Sequence, residues 1–141
     1  MKDPVLIPVS PAELLDKKTI LEIKRERIGA PEKLANVKHE LALLTDIAAR
    51  VLAGVDAAAG LPALEAQLLK VNSEIWDLEN TVRACEQAQN FGAEFVRTAR
   101  NIYASNDRRA AIKRQINLAL GTDVIEEKEH RGVPPHGRPA A

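Results

Sequence analysis

Residues 61–85 read LPALEAQLLKVNSEIWDLENTVRAC, and this stretch decides the fold. Apolar side chains recur in it at alternating intervals of four and three residues, at Leu64, Leu68, Val71, Ile75, Leu78, Val82 and Cys85. A half-buried strand requires strict alternation of apolar and polar residues, and this stretch does not alternate. The spacing therefore predicts a long helix with one apolar stripe, of the kind that packs along a coiled-coil seam.

The preceding stretch, residues 32–53, has the same periodicity. Its apolar residues are Leu34, Val37, Leu41, Leu44, Ala48 and Val51. Only a short link around Gly54 to Gly60 separates the two predicted helices. We therefore expect them to lie side by side and antiparallel, as a coiled-coil-like central hairpin.

Proline and glycine mark the ends of two further helices. Ser10-Pro11-Ala12-Glu13 combines a capping hydroxyl, a proline at the first helical position and a glutamate three residues after the cap. The stretches free of both residue types, 12–28, 32–53, 63–91 and 93–120, predict an all-α, up-down-up-down four-helix bundle. A short N-terminal strand over residues 5–9 is expected to pair with residues 122–125, after Gly121.

Length and charge narrow the class of protein. The 141 residues, with 20 Lys+Arg and 20 Asp+Glu, suit a single domain over residues 1–130 and a disordered tail over 131–141. Balanced charge gives no general affinity for nucleic acid or anionic membranes, and no apolar run is long enough to span a membrane. The single cysteine, Cys85, cannot form an internal disulfide, so we expect a cytoplasmic protein.

The sequence contains none of the common catalytic signatures. There is no phosphate-binding glycine loop, nucleophile elbow or metal-ligand spacing, so no catalytic, cofactor-binding or metal-binding residue is predicted. His39, His130 and His136 are interpreted as surface residues. These observations leave open whether the protein is an enzyme.

Several polar side chains are nevertheless predicted to point into the bundle. They are Lys17 and Lys24 of the first helix, and Asn106, Arg109 and Lys113 of the fourth. An uncompensated charge is costly in a helical interior, so an anion must face these cations. One interpretation is internal ion pairing, with Glu40, Glu79 and Glu86 as the candidate counter-charges. The other is a pocket for a carboxylate or phosphate ligand, in which Arg109 supplies a planar fork of donors.

A second apolar face is predicted on the third helix. Leu69 and Trp76 are spaced by one heptad and lie away from the main stripe. They either contact another helix of the bundle or form a self-association face. The basic stretch 108–114 has no aromatic residues interleaved for base stacking, so nucleic acid is not an expected partner.

The chain also contains several characteristic sequence motifs: PVSPAELLDK (8–17), TILEIK (19–24), ERI (26–28), KLANV (33–37), EL (40–41), NDRRA (106–110), KR (113–114) and IEEK (125–128). In them, and over residues 5–130 as a whole, the chain resembles a bacterial family of small, mostly helical proteins of unknown function. The resemblance implies a bacterial cytoplasmic protein and an association with surface-polysaccharide and glycosyltransferase functions. It implies no catalytic residue.

Two functional hypotheses follow from the sequence. The first is an interaction or accessory protein that acts through helix-face packing, as a homodimer or with another protein. The alternative is a small enzyme or sensor that binds an anionic metabolite in the inward Lys, Arg and Asn pocket.

Overall fold

A computed structural model gives the fold, and it describes residues 2–55, 60–129 and 132. The described residues form four helices: α1 (Pro11–Arg27), α2 (Pro31–Val51), α3 (Leu61–Gln87) and α4 (Ala93–Leu120). The predicted all-α class and the four helical stretches are confirmed. Of the predicted tail, residues 131–141, only Gly132 is among the described residues. His130 and His136 lie outside them.

Helix α1 begins where its capping residues predict. Ser10 has extended backbone angles, and its hydroxyl oxygen accepts a hydrogen bond of 3.2 Å from the backbone N–H of Glu13. Pro11 occupies the first helical position, where a missing N–H costs nothing. The cap also lies in the interior, since Ser10 is only 6% exposed, and it fixes where the chain enters the core.

Helix α1 lies at the centre of the fold and packs against each of the other three helices. It runs parallel to α3. Two ion pairs show this direction: Lys18 pairs with Glu65 and, further along both helices, Arg27 pairs with Asp77. It runs antiparallel to α4, where the amide of Ala12 contacts Asn117. The helices therefore follow the predicted up-down order. The main core lies between α1, α3 and α4 and includes Ala12, Leu15, Leu68, Val71 and Ile116.

The predicted central hairpin of α2 and α3 is wrong. Helix α2 makes its extensive contacts with α1, whereas α3 pairs most extensively with α4. The heptad stripe of α2 is used on α1, where Val37 and Leu41 form a small second core with Leu21. Because α1 covers this part of the stripe, Val37 and Leu41 are not available for a seam with α3. The heptad spacing identified residues of α2 that are buried but not the helix on which they pack.

The predicted N-terminal strand is also wrong. Residues 5–9 and 122–125 are described, and neither stretch forms a strand. Val5, Leu6 and Ile7 are 75%, 89% and 68% exposed, so this stretch has no core to pack on. Residues 122–129, which we call the return segment, instead run back along α4 and contact it through charged side chains. No described helix is both long and apolar enough to cross a membrane.

Candidate functional site

A buried lysine forms the centre of the candidate site. Lys113 of α4 has a side chain only 9% exposed, and its Nζ lies 2.7 Å from Glu13 Oε2 and 2.7 Å from Glu126 Oε2. Asp16 Oδ2 lies at 3.8 Å. The three carboxylates come from α1 and from the return segment, so Lys113 joins α4 both to the segment that follows it and to a helix 100 residues earlier in the chain.

The charges of this cluster stabilise one another. Burial lowers the pKa of Lys113, but hydrogen bonds to Glu126 and Glu13 and the charge of Asp16 outweigh it, so that the pKa is raised above its usual value. The hydrogen bond and charge of Lys113 lower the pKa of Glu126, and the charge of Arg109 lowers it further. Lys113 is therefore a fixed cation that is already neutralised by the protein.

A network of neutral side chains holds the carboxylate of Asp16 in place. Asn72 of α3 donates hydrogen bonds from Nδ2 to Asp16 Oδ1 at 2.9 Å and to Thr19 Oγ1 at 3.1 Å. The Thr19 hydroxyl donates in turn to the backbone carbonyl of Asp16 at 2.9 Å. All three residues are at most 5% exposed. This network fixes the rotation of α1 relative to α3 and so aims Asp16 at Lys113.

The return segment closes over the same face of α4. Besides the Glu126 contact, Glu127 pairs with Arg114 at 3.2 Å, and Lys128 pairs with Asp107. Between the segment and the helix lies a cavity of 670 Å³, which we call the α4 groove. Its walls include Tyr103, Asn106, Arg109 and Lys113 of α4, and Glu126 and Lys128 of the return segment.

Arg109 differs from the other cations of the groove. Lys113, Arg114 and Lys128 each have a carboxylate partner. Arg109 is half-buried, and within the described part of the chain its guanidinium has no ion pair or hydrogen bond. The same holds for the amide of Asn106, one helical turn earlier. Unpaired donors therefore converge on this part of the groove.

Arg109 also lines a second cavity, of 350 Å³, which we call the Trp76 cavity. Ile20 and Ile23 of α1 and Ile75 and Trp76 of α3 form its apolar walls. Glu79 and Arg83 lie at its edge and form an ion pair of 3.4 Å with each other. Trp76 is half-buried and contributes to this wall, as expected for contact within the bundle, while Leu69 is 36% exposed.

The structure brings together only part of the predicted cation cluster. Asn106, Arg109 and Lys113 share the α4 groove, as their spacing on one helix predicts. Lys17 is exposed and Lys24 half-buried, and neither lines the groove or the Trp76 cavity. The α1 residues that contact Lys113 are instead its acidic residues, Glu13 and Asp16.

The predicted counter-charges differ from those that Lys113 contacts. Glu40 and Glu86 are exposed, and Glu79 is half-buried at the Trp76 cavity. The residues that sequence reasoning missed are Glu13, Asp16 and Glu126. Their acidic side chains were one indication, since an inward lysine needs an anion. Glu13, however, was already assigned to the helix cap. The contact of Glu126 depends on the path of the return segment, which the sequence does not show.

No group of His, Cys, Asp and Glu side chains in residues 2–55, 60–129 and 132 is arranged to hold a metal ion. Cys85 is buried and unpaired, in agreement with its place in the apolar stripe.

The stretches that carry the family resemblance converge on this site. The PVSPAELLDK stretch supplies Glu13 and Asp16, the NDRRA and KR stretches supply the α4 wall, and IEEK supplies Glu126. Comparison with curated proteins and with solved structures finds no match. The sequence pattern of a family of unknown function, DUF6165, matches residues 5–136. The chain therefore belongs to the DUF6165 family.

Proposed function

We propose that this chain is a cytoplasmic protein that binds a small ligand bearing a carboxylate or phosphate group in the α4 groove. One observation carries the proposal: Arg109 is half-buried in the groove wall and has no ion pair or hydrogen bond among the described residues, although the charge of Glu126 acts on it, while Lys113, Arg114 and Lys128 are each paired. A partly desolvated guanidinium gains most when an anion binds it, because the missing hydrogen bonds are then supplied.

The neighbouring side chains support this assignment. Asn106 offers amide donors one turn from Arg109, and Tyr103 offers a phenol one further turn away, on the same stripe of α4. Lys113 is bound by its own carboxylates, so it shapes the wall rather than receiving the ligand. A groove of 670 Å³ lies within the roughly 300–1,000 Å³ that small-molecule sites occupy.

The test is a titration of the full chain with inorganic phosphate and, separately, with acetate, at constant ionic strength. The NMR signal of the Arg109 Nε–Hε group reports binding. We expect saturable shifts with at least one of the two anions. Arg109→Gln should weaken that affinity about tenfold or more, because a charge-assisted hydrogen bond contributes about 1.5–3 kcal/mol.

Arg100→Gln is the matched control, since Arg100 is exposed on the same helix and lies outside both cavities. It should bind as the parent chain does. Equal losses in the Arg109 and Arg100 variants, or shifts that never saturate, would overturn the proposal.

A second candidate function, self-association, is supported by a different surface. Helix α2 packs mainly on α1 and leaves Leu43, Ile47 and Val51 exposed at 52%, 37% and 57%. These residues are spaced by four, so they form one ridge along the helix. Ridges of this spacing interlock in the commonest class of helix packing.

The occupant that we propose for this ridge is a second copy of the chain. In a two-fold pair with antiparallel α2 helices, Leu43 of one copy lies beside Ile47 of the other, and Glu40 faces Arg50, which pairs with Asp46 of its own helix at 3.0 Å. Glu40 has no ion pair within the described part of its own chain, so it is available for this contact. Such a dimer would suit an accessory role in the surface-polysaccharide setting that the family resemblance suggests.

Sedimentation velocity over a wide range of protein concentration tests the dimer. We expect concentration-dependent dimerisation that Ile47→Lys abolishes and that Val96→Lys, at an exposed valine of α4, leaves intact. Glu40→Arg should weaken the dimer, and adding Arg50→Glu in the same chain should restore it. A parent chain that remains monomeric throughout would exclude this function.

A further inference from the structure

The Trp76 cavity adjoins the anion site through a shared residue. Arg109 lines both this cavity and the α4 groove, so its side chain borders an apolar space and a polar one. The apolar walls come from two helices, with Ile20 and Ile23 on α1 and Ile75 and Trp76 on α3. The remaining charges at its edge, Glu79 and Arg83, neutralise each other.

We infer that the ligand is an amphipathic anion, and this inference rests on the proposed function. Its carboxylate or phosphate lies against Arg109 in the α4 groove, and its apolar group occupies the Trp76 cavity. The volume of 350 Å³ accommodates a ring or a short branched chain, within the lower part of the roughly 300–1,000 Å³ range of ligand sites.

The position of Trp76 supports this inference. Large apolar side chains are usually buried to close a core, and a gap beside them loses dispersion contacts. Trp76 instead remains half-buried beside an open space that Ile20 and Ile75 also border. An apolar ligand group would supply the contacts that this indole face lacks. A purely polar anion, such as free phosphate, would leave the cavity unfilled.

Asn72 limits how deep the ligand reaches. Its side chain lines the inner end of the Trp76 cavity, and its Nδ2 is committed to Asp16 and Thr19. The inner wall is therefore a fixed part of the network that holds α1 on α3. The ligand enters beside Trp76 and ends at this wall, so the length of the apolar group determines the fit.

The test compares anions in matched pairs. The first pair is inorganic phosphate and cyclohexyl phosphate, and the second is acetate and cyclohexanecarboxylate, so the two head groups are distinguished. Trp76 is the single tryptophan of the chain, and its emission reports on this cavity. We expect the cyclohexyl member of at least one pair to bind about tenfold tighter or more and to shift the Trp76 emission to shorter wavelength, because apolar burial is roughly proportional to area.

Two variants separate the head-group site from the apolar site. Ile20→Ser should reduce the affinity for the cyclohexyl compound while leaving the affinity for the simple anion within about twofold, since Ile20 borders only the Trp76 cavity. Arg109→Gln should weaken both members of a pair. Val96→Ser, at a residue that lines neither cavity, is the control for a general effect of the substitution.

The outcomes are distinguishable. If both members of each pair bind equally and the Trp76 emission does not change, the amphipathic ligand is excluded while the anion site stands. If no anion binds in an Arg109-dependent manner, the proposed function fails and this inference fails with it.

Discussion

Lys113 Nζ lies 2.7 Å from Glu126 Oε2, and this contact fastens the return segment to α4. The two residues are 13 positions apart and are separated by the turn at Gly121. The same ammonium group binds Glu13 on α1. One lysine therefore contacts both the helix that starts the fold and the segment that follows its last helix, and the α4 groove lies between α4 and that segment.

Replacing Lys113 with methionine should destabilise the protein. The methionine keeps the length of the apolar stem, but Asp16, whose side chain is 7% exposed, would lose its nearest cation. Breaking one partner of a buried ion pair costs about 3–5 kcal/mol, and the partial exposure of Glu13 and Glu126 places the expected loss near the lower value. Urea unfolding followed by circular dichroism measures it.

The matched control for this prediction is Lys38→Met on the exposed face of α2. We expect it to change the free energy of unfolding by about 0.5 kcal/mol or less. If the two variants had the same stability, Lys113 would not be the stabilising centre that its contacts indicate.

The ion pair of Glu126 predicts a pH dependence with a definite sign. The pKa of Glu126 is lowered in the folded protein, first by the hydrogen bond from Lys113. Its contribution to stability is therefore complete above its ordinary pKa of 4.5 and is lost as the pH falls through the lower, folded value. The parent chain should be more stable than Glu126→Gln at neutral pH, by at most about 1 kcal/mol because Glu126 is largely exposed.

This stability difference between parent and Glu126→Gln should shrink toward zero in acid, as urea unfolding at a series of pH values would record. Glu129→Gln provides the comparison, since Glu129 lies in the same segment and has no ion pair within the described chain. It should match the parent at neutral pH. A difference for Glu126→Gln that stays constant down to strongly acidic pH would contradict the assignment.

The sequence specified the helices because their ends are encoded locally. Pro11 and Pro31 open helices, and Gly121 ends one with a left-handed φ of 65°. Each of these preferences acts within a few residues, so it can be identified without knowing the rest of the fold. The stripe that groups Asn106, Arg109 and Lys113 is equally local, since it depends only on the helical period.

The choice of neighbours could not be derived in this way. From its sequence alone, the apolar stripe of α2 is compatible with packing on either α1 or α3. In the structure it packs on α1. Likewise, Glu13 had a local role in the cap, but its carboxylate pairs with Lys113, 100 residues away. The packing of the helices determines which anion pairs with which cation, and this packing cannot be derived from the spacing of residues in the sequence.

Asn72→Leu should cost about 1–3 kcal/mol of unfolding free energy despite adding apolar volume. Asn72 supplies the hydrogen bonds that satisfy Asp16 Oδ1 and Thr19 Oγ1, and all three side chains are buried. Leucine would leave those oxygens without a donor in a region closed to water. Asn80→Leu, at an exposed position two turns along α3, should have little effect. Equal stability of the two variants would show that the network contributes nothing.

Gly121→Ala should destabilise the protein by about 1 kcal/mol, because a side chain raises the energy of the left-handed backbone that Gly121 adopts. The space around it is open, so the cost is one of backbone conformation and not of collision. Gly29→Ala is the matched substitution: Gly29 also has open surroundings but no positive φ, so alanine there should be neutral or stabilise by about 0.4–1 kcal/mol. Thermal unfolding of the two variants gives the comparison. Changes in stability of opposite sign would establish that the turn after α4 requires glycine. A loss of stability in Gly29→Ala as large as that in Gly121→Ala would refute it.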